Sequence, residues 1–561
     1  MRPLLRALLA LALPALLGAQ PVLGGGEDAT VPRKGRVRLR LGGLVESAAD
    51  RFDAQGNRLP LGAASSFDTL GARLLPSLGP LQDTLRLLAG QPTLGTSLGQ
   101  LRNDVRVDVQ TIPIQVEYGV LDRLTLSLLV PVIRTRSTVN ASVNGTGVEG
   151  NLGFNPARGT AGTAAFQRNA VLTNQLEQAS ASLRTLVNTC SVTPPTDPRC
   201  TNFPTARATA LIAEATNFRS RVAYVYGTGT ASPGQRFVPI AGTAAQRAVN
   251  SRVDSLSRAF AAFQITSLAA TSTPLGANQR LGIGGVQSIL TDEAYGIASD
   301  SLRGILRSNT GDVELAGSFQ WLDTFGGDEA ARLAPVGFQA RSTVTAGYRL
   351  GTGSGDFPFT LFDVPAGTGA SAILLGSTTD LVLGRRAWAT VSVRATQPLA
   401  VQQPLRVPVF AGQFYVPAYR EVTVDRTLGR ELQFELTPRY AFGDAFSVWA
   451  QYQYRTKAAD ENRGTFEVQL AEGAPAEVID ASVLDVDTEA REQRAGIGVA
   501  YSTLAAYTRG RGSLPVEISW VYRQTLSGRG GTVARNSGQQ VQVRFYFRLL
   551  GASAGRVGGV R

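Results

Sequence analysis

From Gly35 onward the chain repeats stretches of about ten residues in which apolar and polar side chains alternate, the period-two signature of a β-strand with two different faces. The last stretch is the clearest: Val541, Val543, Phe545, Phe547 and Leu549 share one parity, while Gln540, Gln542, Arg544, Tyr546 and Arg548 share the other. Leu432, Phe434, Leu436 and Tyr440 oppose Gln433, Glu435, Thr437 and Arg439 in the same way, and Phe446, Val448, Ala450, Tyr452 and Tyr454 oppose Ser447, Gln451, Gln453 and Arg455. Further strands near 35–45, 103–119, 123–136, 311–323, 338–350, 371–383, 388–399, 494–507 and 514–526 bring the total to twelve, an even number as single-chain bacterial barrels require. The second strand breaks phase between Val105, Val107, Val109 and Ile112, Ile114, Val116, Tyr118, which predicts a bulge near Thr111.

The connections alternate as well. Links at 119–123, 384–387, 442–445 and 508–513 are short and 324–337 is somewhat longer, while those at 46–102, 137–310, 351–370, 400–430 and 457–493 are long. Transmembrane barrels sort their loops in this manner, with short periplasmic turns and long external loops, whereas a soluble sandwich has no reason to do so. The expected fold class is therefore all-β: a transmembrane antiparallel β-barrel of about 12 strands. Tyr118, Trp321, Tyr348, Trp388, Tyr440, Tyr454, Trp520 and Tyr522 fall towards strand ends, as interfacial girdles of aromatics do.

The segment 137–310 differs in kind. Leu172, Leu176, Ala179, Leu183 and Val187 form one helical stripe, and similar spacing recurs around 205–224 and 244–263, so a helical insertion between strands 3 and 4 is expected. Cys190 and Cys200 flank a proline-stiffened loop inside it and are expected to close a disulfide in an exported chain. The organisation predicted is a signal peptide at 1–19, strands 1–3 with a long first loop at 20–136, the insertion at 137–310, strands 4–12 at 311–550 and a periplasmic tail at 551–561. Within the signal, Arg2 and Arg6 precede the apolar run Ala7 to Leu17, which is too short to span the ~30 Å of a bilayer, and Gly18-Ala19 supplies the cleavage site.

Composition then narrows the chemistry. The 561 residues include no histidine, which excludes imidazole-based nucleophile systems and histidine metal sites; no catalytic residue, metal or cofactor is expected. The 55 basic residues, all arginine except Lys34 and Lys457, give a net charge of +12, yet they are spread singly along an exported chain, so nucleic acid is not an expected partner. Charge on a lipid-facing side costs ~2–4 kcal/mol per arginine at the midplane, so the arginines belong inside or at the rims. The lumen-lining candidates are Arg36, Arg38, Arg40, Arg106, Arg349, Arg394, Arg439, Arg455, Arg494, Arg523, Arg544 and Arg548, with Asp108, Glu117, Glu314, Asp380, Glu435 and Glu517 as their acidic counterparts. The cationic excess favours anionic solutes.

The strings EYGVLDRLTLSLLVPV at 117–132 and GDVELAGSFQWL at 311–322 resemble blocks of an outer-membrane channel family named for the meta-pathway of phenol degradation, distantly similar to long-chain fatty-acid channels. The matching residues are Tyr118, Gly119, Asp122, Arg123, Pro131, Val132, Gly311, Asp312, Val313 and Glu314, and a third block, GYRLGTGSGDFP at 347–358, carries Gly351 where that family has proline. The resemblance implies a pore in the Gram-negative outer membrane, with membrane lipid and small aromatic or hydrophobic molecules as its partners. The function expected is passive uptake or efflux of small solutes; the alternative is a surface-display barrel whose helical insertion serves adhesion, recognition or envelope organisation.

Overall fold

A computed structural model describes residues 28–548 apart from 145–148, 160–161, 193–196, 326–336, 356, 385, 470–474, 512–513 and 531–532. The signal segment 1–19 and the tail 551–561 lie outside the described residues. Twelve strands among the described residues form the barrel: β1 (Arg36–Ala48), β2 (Leu101–Leu121), β3 (Leu124–Val143), β4 (Val313–Asp323), β5 (Phe338–Leu350), β6 (Ala372–Leu383), β7 (Ala387–Pro398), β8 (Glu431–Phe442), β9 (Phe446–Lys457), β10 (Ala490–Ser502), β11 (Val516–Arg529) and β12 (Ser537–Arg548). Each pairs with the next along the chain and β12 returns to β1 from Arg36↔Arg548 to Ser47↔Ser537, so the meander closes without an edge. A further short strand, Leu306–Thr310, pairs with the far half of β3.

The alternation that forms the strands also sets which face is which. Leu126, Leu315, Leu375, Ile497 and Leu526 point outward and are more than half exposed or nearly so (55%, 48%, 56%, 63% and 57%), whereas Thr125, Gln320, Asp380, Thr437 and Gln542 on the opposite parity are buried. Apolar side chains outside and polar ones inside invert the arrangement of a soluble domain, and only a hydrocarbon surround makes that favourable, since each Å² of apolar surface left in water costs ~25 cal/mol. The barrel is a transmembrane one. Trp321, Tyr348, Tyr440 and Tyr522 share the outward face. Trp388 does not: it sits in register with Arg439, on the inward parity of β7.

The bulge expected near Thr111 is absent from the pairing of β2 with β1, which runs from Val37↔Tyr118 to Ala48↔Val107 without a shift. What changes along β2 is the chemistry of each face. Odd-numbered residues are buried throughout, from Val105, Val107 and Val109 to Gln115 and Glu117, while the exposed face passes from Arg102, Asp104 and Arg106 to Ile112, Ile114 and Val116. The physical reason is length: 21 residues are about twice what a tilted strand needs to cross a bilayer, so the first half continues beyond the apolar belt with its outer face in water. Pro113 is accommodated because Gly42 faces it, and a Cβ there would strike the proline ring.

Two of the long connections are ordered. Val401–Arg406, Glu421–Thr427 and Glu461–Arg463 form a three-stranded sheet, and Val407, Val424, Val468, Ile479 and Ala481 make a small apolar core beneath it.

A second compact unit comprises 65–103 and 141–298. Its helices are α1 (Gly79–Ala89), α2 (Gly162–Cys190), α3 (Thr205–Tyr226), α4 (Ala244–Ala261) and α5 (Ile283–Thr291), so part of the long first loop belongs to the helical unit. The stripe of α2 buries Leu172, Leu176, Ala179 and Leu183 as its spacing predicts, with Leu186 replacing Val187. Asn169, fully buried among them, donates to the carbonyls of Tyr226 and Gly227 (3.1 and 2.9 Å) and accepts from Leu275 N–H (2.8 Å), which satisfies its amide. The Cys190–Cys200 disulfide joins the end of α2 to the approach to α3. Among the described residues no helix is long and apolar enough to cross a membrane.

One strand position tests the packing of the inner wall. A Cβ at Gly498 on β10 would run into the indole of Trp449 on β9, whereas the space around Gly43 on β1 is open. Gly498→Val is expected to lower the unfolding free energy of the purified barrel by ~1–3 kcal/mol in a urea titration, while Gly43→Ala leaves the midpoint in place.

Candidate functional site

The residues before β1 turn into the barrel. Gly35 N–H donates to Gly119 O (2.8 Å) and Lys34 N–H to Asp122 Oδ1 (3.3 Å), and a Cβ on Gly119 would overlap the carbonyls of Pro32 and Arg33. Gly119 and Asp122 thus fasten the incoming segment where β2 ends in its short turn. Further in, Arg38 donates to the hydroxyl and carbonyl of Thr30 (2.7 and 3.0 Å). Ala29, 1% exposed, donates its N–H to Asp380 Oδ2 (3.0 Å), and its carbonyl accepts from Gln320 Nε2 and Thr343 Oγ1 (both 2.8 Å). Asp28 accepts from Arg544 Nη1 at 2.6 Å. The partners come from β1, β4, β5, β6 and β12, so this strap of chain crosses the lumen.

The inward charges are gathered into clusters. In the first, Glu117 on β2 binds both Arg38 and Arg40 of β1, the latter at 3.0 Å; Asp28 stands 3.7 Å from Arg38, and Arg544 is 3.8 Å from Glu517. In the second, Glu314 on β4 accepts from Arg349 of β5 (2.9 Å) and Arg394 of β7 (2.7 Å). In the third, Asp380 on β6 binds Arg341 of β5 (2.6 Å) and accepts from Thr390 (2.7 Å). In the fourth, Arg494 on β10 bridges Glu46 (2.9 Å) and Glu492 (2.7 Å), and Arg455 on β9 holds Glu431 (2.8 Å). Arrangements of this kind, in which a carboxylate meets one or two guanidinium groups or an arginine bridges two carboxylates, are what permits so many arginines to be buried.

Other expected lining residues lie near these clusters or apart from them. Arg523 donates to Gln540 (2.8 Å), Thr437 donates to buried Glu435 (3.2 Å), and the guanidinium of Arg439 stands 5.2 Å from the Trp449 ring centre. Arg36 and Arg548 are neighbours in register at the short-turn end, half-buried and exposed respectively. Arg106 and Asp108 are different: they lie on the outer parity of β2, with the Arg106 side chain 60% exposed and 3.3 Å from Asp108.

Sequence reasoning missed Asp28, Glu46, Arg341, Glu431 and Glu492. Glu46, Glu431 and Glu492 sit one or two residues past the strand limits that alternation indicated, on the inward parity, so longer strands would have found them. Arg341 lies where polar Ser342 interrupts the outward apolar series of β5, and Asp28 has no strand pattern at all.

Between the first two clusters is a cavity of about 120 Å³. Its wall carries Thr125, Ser127, Ser318, Thr343, Thr345 and Ser392, with Asp28, Arg38, Arg40, Glu117, Glu314 and Arg394 at its charged edges. Arg40 is 6% exposed, and its Nε has no hydrogen-bond partner among the described residues.

Asp312, of the 311–322 string, serves a different purpose from Glu314. Its carboxylate accepts from Gly353 N–H and Thr368 N–H (both 2.8 Å) and from the Thr368 hydroxyl (2.9 Å), which draws Gly353 and Thr368 together. Within the glycine-rich run, Gly353 turns its N–H onto this aspartate.

No family model and no curated protein matches the chain. Among solved structures it is similar to an outer membrane channel from Pseudomonas putida F1, with 7% identity, TM-score 0.40, and 94% of this chain and 100% of that chain covered. It is also similar to a FadL homologue of Pseudomonas aeruginosa (11% identity, TM-score 0.25, 92% and 90% covered) and to the toluene transporter TodX of Pseudomonas putida (9%, 0.24, 95% and 96%).

The strap and its anchors can be probed directly. Asp380→Ala removes the carboxylate from buried Arg341 and is expected to cost ~3–5 kcal/mol of barrel stability. Gly119→Val is expected to dislodge the strap: a reporter Ala29→Cys, inert to a water-soluble maleimide in the parent background, becomes labelled when Gly119→Val is added.

Proposed function

We propose that the protein is a passive outer-membrane channel for small polar solutes, with residues 28–34 acting as a strap that restricts the lumen. The observation that carries this reading is the strap itself: a short segment, tied at one end to β1, crosses the lumen and leaves beside it a cavity lined by serine and threonine hydroxyls together with Val31, Leu129, Leu374 and Val393, instead of a packed core. Outer-membrane location is supported by the outward apolar belt and by the export signal that the sequence predicts. Inward residues are polar or charged, and the arginines among them favour anions over cations. Asp28, Glu46, Glu431 and Glu492 moderate that preference by neutralising part of the positive lumen. Diffusion along such a path needs no chemical step and no cofactor.

In planar lipid bilayers the purified protein is expected to conduct, with a reversal potential under a potassium chloride gradient that indicates anion preference. Asp28→Ala should raise the mean conductance several-fold by loosening the strap, and Arg394→Glu should move the reversal potential towards cation preference. A protein that stays silent even after removal of residues 20–33 is not a channel.

A further inference from the structure

Resting on the outer-membrane location in that reading, we infer that the outer wall of the barrel binds the phosphates of lipopolysaccharide, the phosphorylated glycolipid of the outer leaflet, with Arg134 and Arg136 of β3 at the centre of the site.

From the short turn, β3 carries Leu124, Leu126, Leu128, Val130 and Val132 on its lipid-facing parity. The nine residues from Leu124 to Val132 are about what a tilted strand needs to cross the hydrocarbon core, so the apolar belt is used up at Val132. The next two residues on the same face are Arg134 and Arg136, both exposed. They lie two and four residues past the belt at ~3.3 Å per residue, which is headgroup level and not bulk water. Neither makes an ion pair or a side-chain hydrogen bond among the described residues, whereas the outward Arg106 of β2 is engaged by Asp108 at 3.3 Å.

The short strand Leu306–Thr310 lies alongside, with Ser308 opposite Arg134 and Leu306 opposite Arg136. Both are exposed, Leu306 by 58%. Two guanidinium forks, a hydroxyl and an apolar side chain at one level match an amphiphile. The forks take phosphate oxygens in pairs, the hydroxyl donates to a phosphate or sugar oxygen, and Leu306 meets the root of an acyl chain. A free anion makes no use of Leu306, and a neutral lipid makes none of the arginines. The pattern recurs on β10 and β11. Outward Tyr501, Val499, Ile497 and Ala495 give way to Gln493 and Arg491, and Arg491 stands ten residues from Tyr501, as Arg134 stands ten from Leu124. Arg491 is in register with Arg529 of β11, and both are exposed. Like charges opposite each other in a ladder repel, and a phosphate between them turns that repulsion into attraction. Arg529 Nε donates to the Ala54 carbonyl (2.9 Å), which orients its guanidinium.

The test uses the full-length protein in detergent and counts, by native mass spectrometry, the lipid it retains. The probes are the phosphorylated lipid anchor of lipopolysaccharide, the same glycolipid stripped of its phosphates, phosphatidylglycerol and inorganic phosphate. The parent protein is expected to retain two molecules of the phosphorylated glycolipid, about tenfold less of either other lipid, and to keep the glycolipid in excess inorganic phosphate. Arg134→Gln with Arg136→Gln removes one bound molecule, and Arg491→Gln with Arg529→Gln removes the other. Arg252→Gln with Arg258→Gln, which takes the same charge from ion-paired arginines of α4, removes none. Equal retention of the stripped glycolipid or of phosphatidylglycerol, displacement by inorganic phosphate, a rim variant that keeps the full complement, or an equal loss in the α4 variant overturns the proposal. Migration of unheated samples on gels confirms that each variant is a folded barrel. Glycolipid retained by a protein that does not conduct keeps the site and removes the channel reading; conductance without glycolipid retention does the reverse.

Discussion

A guanidinium cannot be buried alone, and this barrel encloses many of them. Taking an arginine out of water costs several kcal/mol unless a carboxylate meets it with good geometry, so the inward faces of the strands are constrained together and not one by one. Glu314 on β4 has meaning only through Arg349 on β5 and Arg394 on β7; Arg494 on β10 depends on Glu46, hundreds of residues earlier but close across the seam side of the wall. The ion clusters thereby link strands that share no backbone ladder. They also decide which interior space is left, because side chains drawn into pairs along the wall do not fill the centre.

The fold was legible because two signals of different origin coincide. Alternation reflects the two solvents on the two faces of a strand, and the sorting of connection lengths reflects the two sides of a membrane. Either could arise by chance, whereas a soluble sandwich has no cause to show both. The helical insertion was legible for a related reason, since a stripe such as Leu172, Leu176, Ala179 and Leu183 records a dry face. Phase along β2 was misjudged because the reading assumed one environment on each side for the whole strand. Ile112 and Val109 are on opposite faces, and each is apolar for its own reason: one faces the belt and the other a buried interior.

The lumen was less legible than the wall. Parity identifies inward residues where a strand is recognised, which is how Arg38, Glu117, Glu314 and Arg544 could be named. It is silent about residues beyond the recognised limits, and it cannot indicate that a non-strand segment enters the barrel. Asp28 and Ala29 are held in the interior by contacts distant in sequence, with Gln320, Thr343, Asp380 and Arg544 among them, and distance of that kind leaves no periodicity. The strings that resemble channel blocks do carry part of the answer in retrospect. Gly119 and Asp122 hold the strap, Asp312 draws Gly353 and Thr368 together, and Glu314 centres an ion cluster.

The strap also bears on how the molecule is put together. It leads directly into β1, and β1 is one half of the seam at which the meander closes against β12. A segment lying inside a closed ring of strands, fastened by bonds to opposite walls, has to be laid down before or during closure of that seam. Strand β12 is thus the one that shuts residues 28–34 in, and segments some five hundred residues apart become partners in a single event of assembly.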